Sequence, residues 1–384
     1  MDKPLSLNYQ ATESDNNFKI TNDKSNRIKK FESPTYQYLF DRKTGLFVRS
    51  FPNNDSIDPM YSPFGPEIAD IEISVGKCAG KCQFCYKDNG TDSIKTKHMS
   101  TDTFKKLFSK LPETVCQIAF GITDINANPD FWNIMSYSRS NGVIPNYTTN
   151  GIGVDERVAR STAEICGAVA VSRSVSRDIC YEAIKKYTSA KMTQVNMHFM
   201  LADETFSDAI NTIYDIASDA RLKDMNAIVF LQYKPKGKNV GKFHSISSIN
   251  KYEYLISLCK TLNITHGFDS CSAPLWLKSN EHESDFQRMV TQAEPCESSL
   301  FSSYINVDGI FFPCSFSEGE KNWVEGLDVV NCKDFLKDIW FNPKTIEFRK
   351  NIIESSFGCS KCEVKRYCRS CVIHDVTCCK EKHQ

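Results

Sequence analysis

From Ile68 onward, short apolar runs alternate with longer stretches in which apolar residues recur three and four positions apart. Short apolar runs between turn residues are typical of buried strands, and the longer spacing predicts helices with one buried face. The pattern predicts strands near Ile68–Val75, Cys116–Phe120, Ile144–Thr149, Ala168–Ser172, Gln194–Met200, Asn226–Leu231 and Ile264–Phe268. It predicts helices between them, near Thr101–Leu111, Pro129–Ser140, Asp155–Cys166, Asp178–Ser189, Thr205–Ser218 and Ile249–Leu262.

This alternation predicts a parallel sheet, because parallel neighbours need a long crossover that a helix usually supplies. Six or seven such units favour a curled sheet over an open, doubly wound one. We therefore expect an α/β fold with a partial (β/α)6 TIM-like barrel over residues 67–270. In such a fold the chemistry collects at the carboxyl ends of the strands.

Residues 1–66 differ from this pattern and are expected to form an N-terminal extension. The first 30 residues are polar and charged, so we expect them to be partly disordered. Tyr36–Phe51 contains two β-rich runs around a turn signal, which predicts a hairpin.

The composition excludes several classes of protein. With 384 residues the chain has room for two or three domains of about 150 residues each. Basic and acidic residues number 47 each, so a nucleic-acid binder with a broad basic face is not expected. No apolar run reaches the roughly 18 residues of a transmembrane helix, and the N-terminus lacks a signal-peptide core. We expect a cytoplasmic protein without a membrane partner.

The chain nevertheless has 17 cysteines. In a reducing compartment, cysteines are more often metal ligands than disulfide partners. Four of them lie in apolar patterns, namely Cys116, Cys166, Cys180 and Cys259, and Cys332 stands apart in the C-terminal third. All five are expected to be small buried residues without a chemical role.

Three cysteines lie on one loop directly after the first predicted strand of the sheet. In SVGKCAGKCQFCYKDNG, Cys78, Cys82 and Cys85 have the spacing C-x3-C-x2-C. Three thiolates can hold three corners of a cubane iron–sulfur cluster and leave one iron free for another ligand. A structural zinc site would instead need four protein ligands.

With Phe84 before its last cysteine, this loop resembles that of the radical SAM superfamily. The resemblance implies that Cys78, Cys82 and Cys85 bind a [4Fe–4S] cluster, whose open iron chelates S-adenosylmethionine. An external donor of the flavodoxin or ferredoxin type would supply one electron. Cleavage of the sulfonium would then give a 5′-deoxyadenosyl radical that abstracts hydrogen from the substrate.

The same resemblance suggests further cofactor contacts. Family members carry a Gly-Gly-Glu-like segment after the second strand, and here AFGITD supplies Gly121, Thr123 and Asp124, with Ile122 and Asp124 departing from the usual residues. An ordinary turn and helix cap is the alternative for this segment. By analogy, later strand ends supply further contacts: Asn150, Ser172, Asn196, His198 and Leu231. Asn196 and His198 share one face of their strand, although His198 would also suit a buried core position.

A second group of cysteines occupies the C-terminal region, which we treat as a domain over residues 271–384. Cys296 and Cys314 form the pattern C-x12-G-x4-C. Two C-x2-C pairs follow, Cys359, Cys362, Cys368 and Cys371, and then Cys378 and Cys379. Two zinc ribbons would fit these pairs, but the order is similar to the SPASM extension of radical SAM maturases, which holds two auxiliary [4Fe–4S] clusters. The last spacing is x2 here, where x3 is usual.

The SPASM resemblance implies that Cys296, Cys314 and Cys371 hold the first auxiliary cluster. It assigns the second to Cys359, Cys362, Cys368 and either Cys378 or Cys379. Cys271 could complete the first cluster, give a hydrogen atom to a substrate radical, or be inert, and the first cluster could also remain open to substrate. The sequence around Asp308 and Gly309 predicts a hairpin that would bring Cys314 near Cys296.

Enzymes with this extension mostly modify peptides or proteins, so the resemblance implies a peptide or protein substrate. The expected products are epimerised residues, thioether or carbon–carbon crosslinks, or oxidised side chains. A radical SAM enzyme for a small molecule or carbohydrate would share every motif, and a non-enzymatic zinc or iron–sulfur interaction protein is a more distant alternative. We expect no winged-helix leader-binding domain in residues 1–66, so the edge of the hairpin or a separate protein would recognise any leader.

Overall fold

The computed structural model describes residues 18–21, 27–34, 36–50, 60–290, 293–354, 369 and 371–374. Its N-terminal part is an antiparallel sheet in the order β1-β2-β3-β4. The strands are β1 (Lys19–Thr21), β2 (Ile28–Glu32), β3 (Gln37–Asp41) and β4 (Phe47–Ser50). The predicted hairpin is confirmed as β3 and β4. The expectation of a single hairpin is wrong, because β1 and β2 extend the sheet.

Packing explains why β1 and β2 form in a polar region. Phe31 of β2 is fully buried and stacks on Tyr38 of β3, with ring centroids 5.4 Å apart. Lys29, on the same strand, is also buried, and its ammonium donates a 2.7 Å hydrogen bond to the Val115 carbonyl. These contacts join the small sheet to the rest of the protein.

The centre of the protein is a ten-stranded sheet. Its parallel part contains β5 (Ile68–Glu72), β8 (Gln117–Gly121), β9 (Ile144–Thr149), β10 (Ala168–Ser172), β11 (Val195–Leu201), β12 (Ala227–Gln232) and β13 (His266–Phe268). These seven strands are adjacent in chain order, which confirms the predicted α/β arrangement. The short strands β6 (Ser74–Val75) and β7 (Lys97–His98) form a separate antiparallel pair.

Helices connect these strands close to the predicted positions. They are α1 (Thr101–Phe108), α2 (Phe131–Ser140), α3 (Glu156–Ile165), α4 (Arg177–Ser189), α5 (Phe206–Ser218) and α6 (Ile249–Thr261). Three of them begin at side chains that accept a hydrogen bond from the first turn, namely Ser100, Asp155 and Ser176. These caps explain why the helix starts were readable from the sequence.

The C-terminal region joins the other edge of the same sheet. Strands β14 (Ser302–Ile305), β15 (Ile310–Phe312) and β16 (Leu327–Asp328) follow β5, with β14 parallel to β5. The predicted hairpin at Asp308 and Gly309 is confirmed as β14 and β15. Three unpredicted helices, α7 (Ala273–Ser279), α8 (Phe286–Val290) and α9 (Pro343–Glu354), complete the described region.

Alternating burial gives the sheet two different faces. Along β11, Val195, Met197 and Phe199 are buried, whereas Asn196 and His198 between them are only half-buried. The buried side packs against the helices, and the other side borders a cavity. Among the described residues, no helix combines the length and apolar character that crossing a bilayer requires.

Candidate functional site

The three-cysteine loop lies between β6 and β7, whose antiparallel pairing closes its base. The Cys78 backbone N–H donates to the Gly90 carbonyl at 3.2 Å, and the Cys82 N–H donates to the Gly80 carbonyl at 2.8 Å. The side chains of Cys78, Cys82 and Cys85 all line one large cavity of about 700 Å³. Burial raises the pKa of Cys78 to about 11, which favours the neutral thiol unless a positive charge lies close by.

Asp124 fixes this loop rather than lining the cavity. Its carboxylate accepts a 2.9 Å hydrogen bond from the Ala79 backbone N–H and a 2.6 Å hydrogen bond from the Asn150 side-chain amide. Asn150 also lies 3.5 Å from the Cys78 sulfur. Asp124 therefore holds the cysteine loop and the residue after β9 together, and its contact with the cofactor stays a prediction.

The other residues that the sequence singled out for cofactor binding do line the large cavity: Phe84, Gly121, Thr123, Asn150, Ser172, Asn196, His198 and Leu231. Phe84 belongs to the three-cysteine loop, and the others come from the ends or inner faces of successive parallel strands, where the fold predicts a site. Burial lowers the pKa of His198 to about 4, against the opposing charge of Asp269, so its ring is neutral at pH 7.

Thr123 contributes a buried hydroxyl group to the wall of the large cavity. Its side chain is 3% exposed, and its hydroxyl has no hydrogen-bond partner among the described residues. A buried hydroxyl without a partner is unfavourable unless a ligand supplies one. The residues at this end of the cavity therefore fit a polar ligand.

The segment after β12 supports the cysteine loop from the opposite side. The Lys238 backbone N–H donates a 3.0 Å hydrogen bond to the Cys85 carbonyl. Gly237 precedes it with φ of +75°, and a Cβ there would lie 2.2 Å from the Cys85 oxygen. Only glycine allows this close approach without moving the loop.

We therefore expect Gly237→Ala to displace the cysteine loop. If the loop holds the [4Fe–4S] cluster predicted from the sequence, the variant should lose up to about four iron atoms per chain after anaerobic reconstitution, as counted by metal analysis. The matched control is Gly241→Ala, because Gly241 also has positive φ (+91°) but nothing lies within 4 Å of an added Cβ. Equal iron content in the two variants would show that the contact with Cys85 is unimportant.

A second, smaller cavity of about 290 Å³ is lined by cysteines that are distant in sequence. Cys271, Cys296, Cys314 and Cys371 all border it. Burial raises the pKa of Cys314 to about 11 and holds the pKa of Cys271 well above its usual value. Cys359, Cys362, Cys368, Cys378 and Cys379 lie outside the described residues.

Among the described residues, no three His, Cys, Asp or Glu side chains converge closely enough to share one metal ion. The four cysteines instead surround the smaller cavity from different sides. The five cysteines expected to be inert are buried.

Five residues form the common wall of the two cavities: Asp70, Lys234, Asp269, Ser315 and Phe316. Lys234 is buried, and its ammonium contacts the Asp269 carboxylate at 3.0 Å and the Phe316 ring centroid at 4.6 Å. Burial lowers the pKa of Lys234, but Asp269 and Cys271 outweigh this effect and hold it above the usual value.

Sequence reasoning missed this wall. The available signal was the pair Asp70 and Glu72 at alternating positions of a predicted buried strand. Strands of a parallel sheet covered on both faces are normally apolar throughout. Charged residues at every second position therefore indicated that one face of β5 borders a polar site.

Comparisons with known proteins relate the chain to solved structures only. No protein-family model and no curated protein matches it. Streptococcus suis SuiB bound to the precursor peptide SuiA is 12% identical with a TM-score of 0.67, over 92% of this chain and 95% of SuiB. SuiB bound to S-adenosylmethionine is 13% identical with a TM-score of 0.62, over 80% and 73%.

A third similar structure is anSMEcpe with bound AdoMet. It is 17% identical with a TM-score of 0.59, and the match covers 79% of this chain and 86% of anSMEcpe. At these identities the likeness establishes a common fold. The chain therefore has the fold of proteins that were crystallised with S-adenosylmethionine.

Proposed function

We propose that this chain, which has the fold of the radical SAM enzymes with a SPASM extension, is itself such an enzyme. In this proposal, Cys78, Cys82 and Cys85 hold a [4Fe–4S] cluster, and S-adenosylmethionine binds in the large cavity. When bound, the cluster and S-adenosylmethionine supply a one-electron reductive cleavage and a radical that abstracts hydrogen. The observation that carries the proposal is the opening of all three thiols into one cavity with the polar ends of the next strands.

The protein's own residues would orient the cofactor. Thr123 has an unsatisfied hydroxyl to donate or accept a hydrogen bond, and neutral His198 can do the same without adding charge. Asp124 would keep Cys78 in position through the backbone N–H of Ala79, and Asn150 through its contact with the Cys78 sulfur. The curled, partial (β/α)6 sheet and the divisions 1–66, 67–270 and 271–384 belong to this proposal.

Thr123→Val tests the proposed cofactor site. It keeps the shape of the side chain and removes the hydroxyl, so we expect S-adenosylmethionine to bind about tenfold more weakly, from the loss of one hydrogen bond. Equilibrium dialysis of the reconstituted protein with labelled S-adenosylmethionine gives the affinity.

The matched control is Thr212→Val. The Thr212 hydroxyl is also buried and has no hydrogen-bond partner in the described part of the chain, but it lies on α5 and lines neither cavity. The control should bind like the original protein. Failure of the original protein to bind S-adenosylmethionine at all would refute the proposed function.

We assign the smaller cavity to the first auxiliary [4Fe–4S] cluster, with Cys271 as the fourth ligand beside Cys296, Cys314 and Cys371. Their common position around one cavity supports this assignment. The second cluster remains assigned from the sequence to Cys359, Cys362, Cys368 and one of Cys378 and Cys379. Three cubanes would give about twelve iron and twelve sulfide per chain, whereas a zinc protein would contain almost no iron.

For the substrate we favour a peptide or protein. SuiB was crystallised with its precursor peptide SuiA, and anSMEcpe with the peptide Cp18Cys. A small molecule or carbohydrate is the alternative. Mass spectrometry of candidate peptides after turnover in deuterated water separates the outcomes, because epimerisation adds one deuterium whereas crosslinking or oxidation removes two hydrogens. An external donor of the flavodoxin or ferredoxin type would supply the electron.

A further inference from the structure

Asp70 lies in the middle of β5 and lines both cavities. In register on the adjacent strands are Ala119 of β8 and Tyr304 of β14. Because the Ala119 side chain is a single methyl group, it leaves space beside the Asp70 carboxyl. Asp70 is exposed to this space, although β5 is a central strand of the sheet.

Two ion pairs account for other charges along the large cavity. The Lys87 ammonium lies 3.2 Å from the Glu72 carboxylate, and the Lys234 ammonium lies 3.0 Å from the Asp269 carboxylate. Within the part of the chain that the structure describes, the Asp70 carboxyl has neither a hydrogen-bond partner nor an ion-pair partner. These pairs leave the negative charge of Asp70 uncompensated.

The surroundings of Asp70 disfavour its negative charge, although the carboxyl is open to the cavity. Partial desolvation by the protein raises its pKa to about 7, and the negative charge of Glu297 adds to the effect. A positively charged ligand would offset both effects, because a nearby opposite charge favours the ionised carboxylate.

The two lysines of the large cavity show how this wall binds an ammonium group. The Lys234 ammonium lies 4.6 Å from the Phe316 ring centroid, and the Lys87 ammonium lies 4.6 Å from that of Tyr304. Each ammonium therefore contacts both a carboxylate and an aromatic ring, which carries partial negative charge on its face. Asp70 is the carboxylate of this wall that has no such ammonium among the described residues.

We propose that Asp70 binds a positively charged side chain of the substrate, a lysine or arginine of a peptide, at the boundary between the two cavities. The inference rests on the proposed function and deepens it, because it names a chemical feature of the substrate. Asp70 is thus a specificity-determining residue. Its position in both cavity walls places the bound side chain between the three-cysteine loop and the four-cysteine cavity.

The test uses an equimolar mixture of synthetic hexapeptides that differ at one central residue: lysine, norleucine, arginine or citrulline. Norleucine and citrulline are neutral counterparts of lysine and arginine with similar shape. The mixture is equilibrated anaerobically with the reconstituted protein, and the retained peptides are quantified by mass spectrometry after ultrafiltration. We expect the original protein to retain each basic peptide about tenfold over its neutral counterpart.

In Asp70→Asn, which keeps the shape and removes the charge, this preference should fall below about twofold, and Asp70→Glu should restore part of it. Asp308→Asn is the control, because Asp308 pairs with Lys97 in an exposed turn outside both cavities. Two further measurements are made on the same samples. Iron content shows whether each variant is folded, and S-adenosylmethionine binding tests the proposed function independently of the peptide preference.

Three results would overturn the inference. The original protein could show no basic preference, the preference could persist in Asp70→Asn, or Asp70→Asn could weaken S-adenosylmethionine binding and leave the peptide preference intact. Normal S-adenosylmethionine binding in the first two cases would leave the proposed function standing. Loss of S-adenosylmethionine binding by the original protein would refute the function, whatever the peptide result.

Discussion

Replacing Cys78, Cys82 and Cys85 together with alanine is expected to remove about four iron atoms per chain and to abolish S-adenosylmethionine cleavage. These are the three thiols of the loop that opens into the large cavity, and without them the described residues offer no thiolate there to hold a cluster. Metal analysis and chromatography of 5′-deoxyadenosine after reduction measure the two effects.

Buried cysteines away from both cavities provide the control. Cys116→Ala and Cys259→Ala each remove a thiol from the core, so they should lower stability but keep the full iron content. Persistent S-adenosylmethionine cleavage in the triple variant would contradict both the cluster assignment and the proposed function.

Cys271→Ala, made as a single substitution, is expected to lower the iron content by about four atoms per chain. Cys271 would be the fourth ligand of the cluster in the smaller cavity. Cys314→Ala should cause the same loss, since Cys314 lines that cavity too. Iron counts on the two variants, prepared side by side, are the measurement.

The control for this pair is Cys332→Ala, because Cys332 is buried but lines neither cavity. An unchanged iron content in Cys271→Ala would contradict its assignment as a cluster ligand. Full iron content in Cys271→Ala with loss of product would favour a hydrogen-donor role, and unchanged iron with unchanged product would make this cysteine inert.

Much of the architecture was readable from local sequence patterns. The strands Ile144–Thr149 and Ala168–Ser172 were predicted with their observed bounds, because their apolar runs are short and bounded by turn residues. Helix starts were accurate to one or two residues where Asp155 and Ser176 cap the first turn. Such signals lie within a few residues of the element they define, so they survive without tertiary information.

Strands that depend on distant partners were missed. β2 has the charged sequence IKKFE, and it forms because Phe31 packs on aromatic residues of β3 and because Lys29 reaches backbone carbonyls near β8. Neither contact is visible in the local pattern. The short helices α7 and α8 were missed for the same reason.

The sequence alone determined the order of the elements and the placement of three cysteines on one loop, because periodicity and cysteine spacing are local properties of the chain. Only the tertiary structure brought Cys271 to the same cavity as Cys296, Cys314 and Cys371, and turned Asp70 inward while Asp124 turned to the loop. These outcomes depend on strand register and on which face of the sheet each residue occupies, and both are decided by the packing of the whole chain.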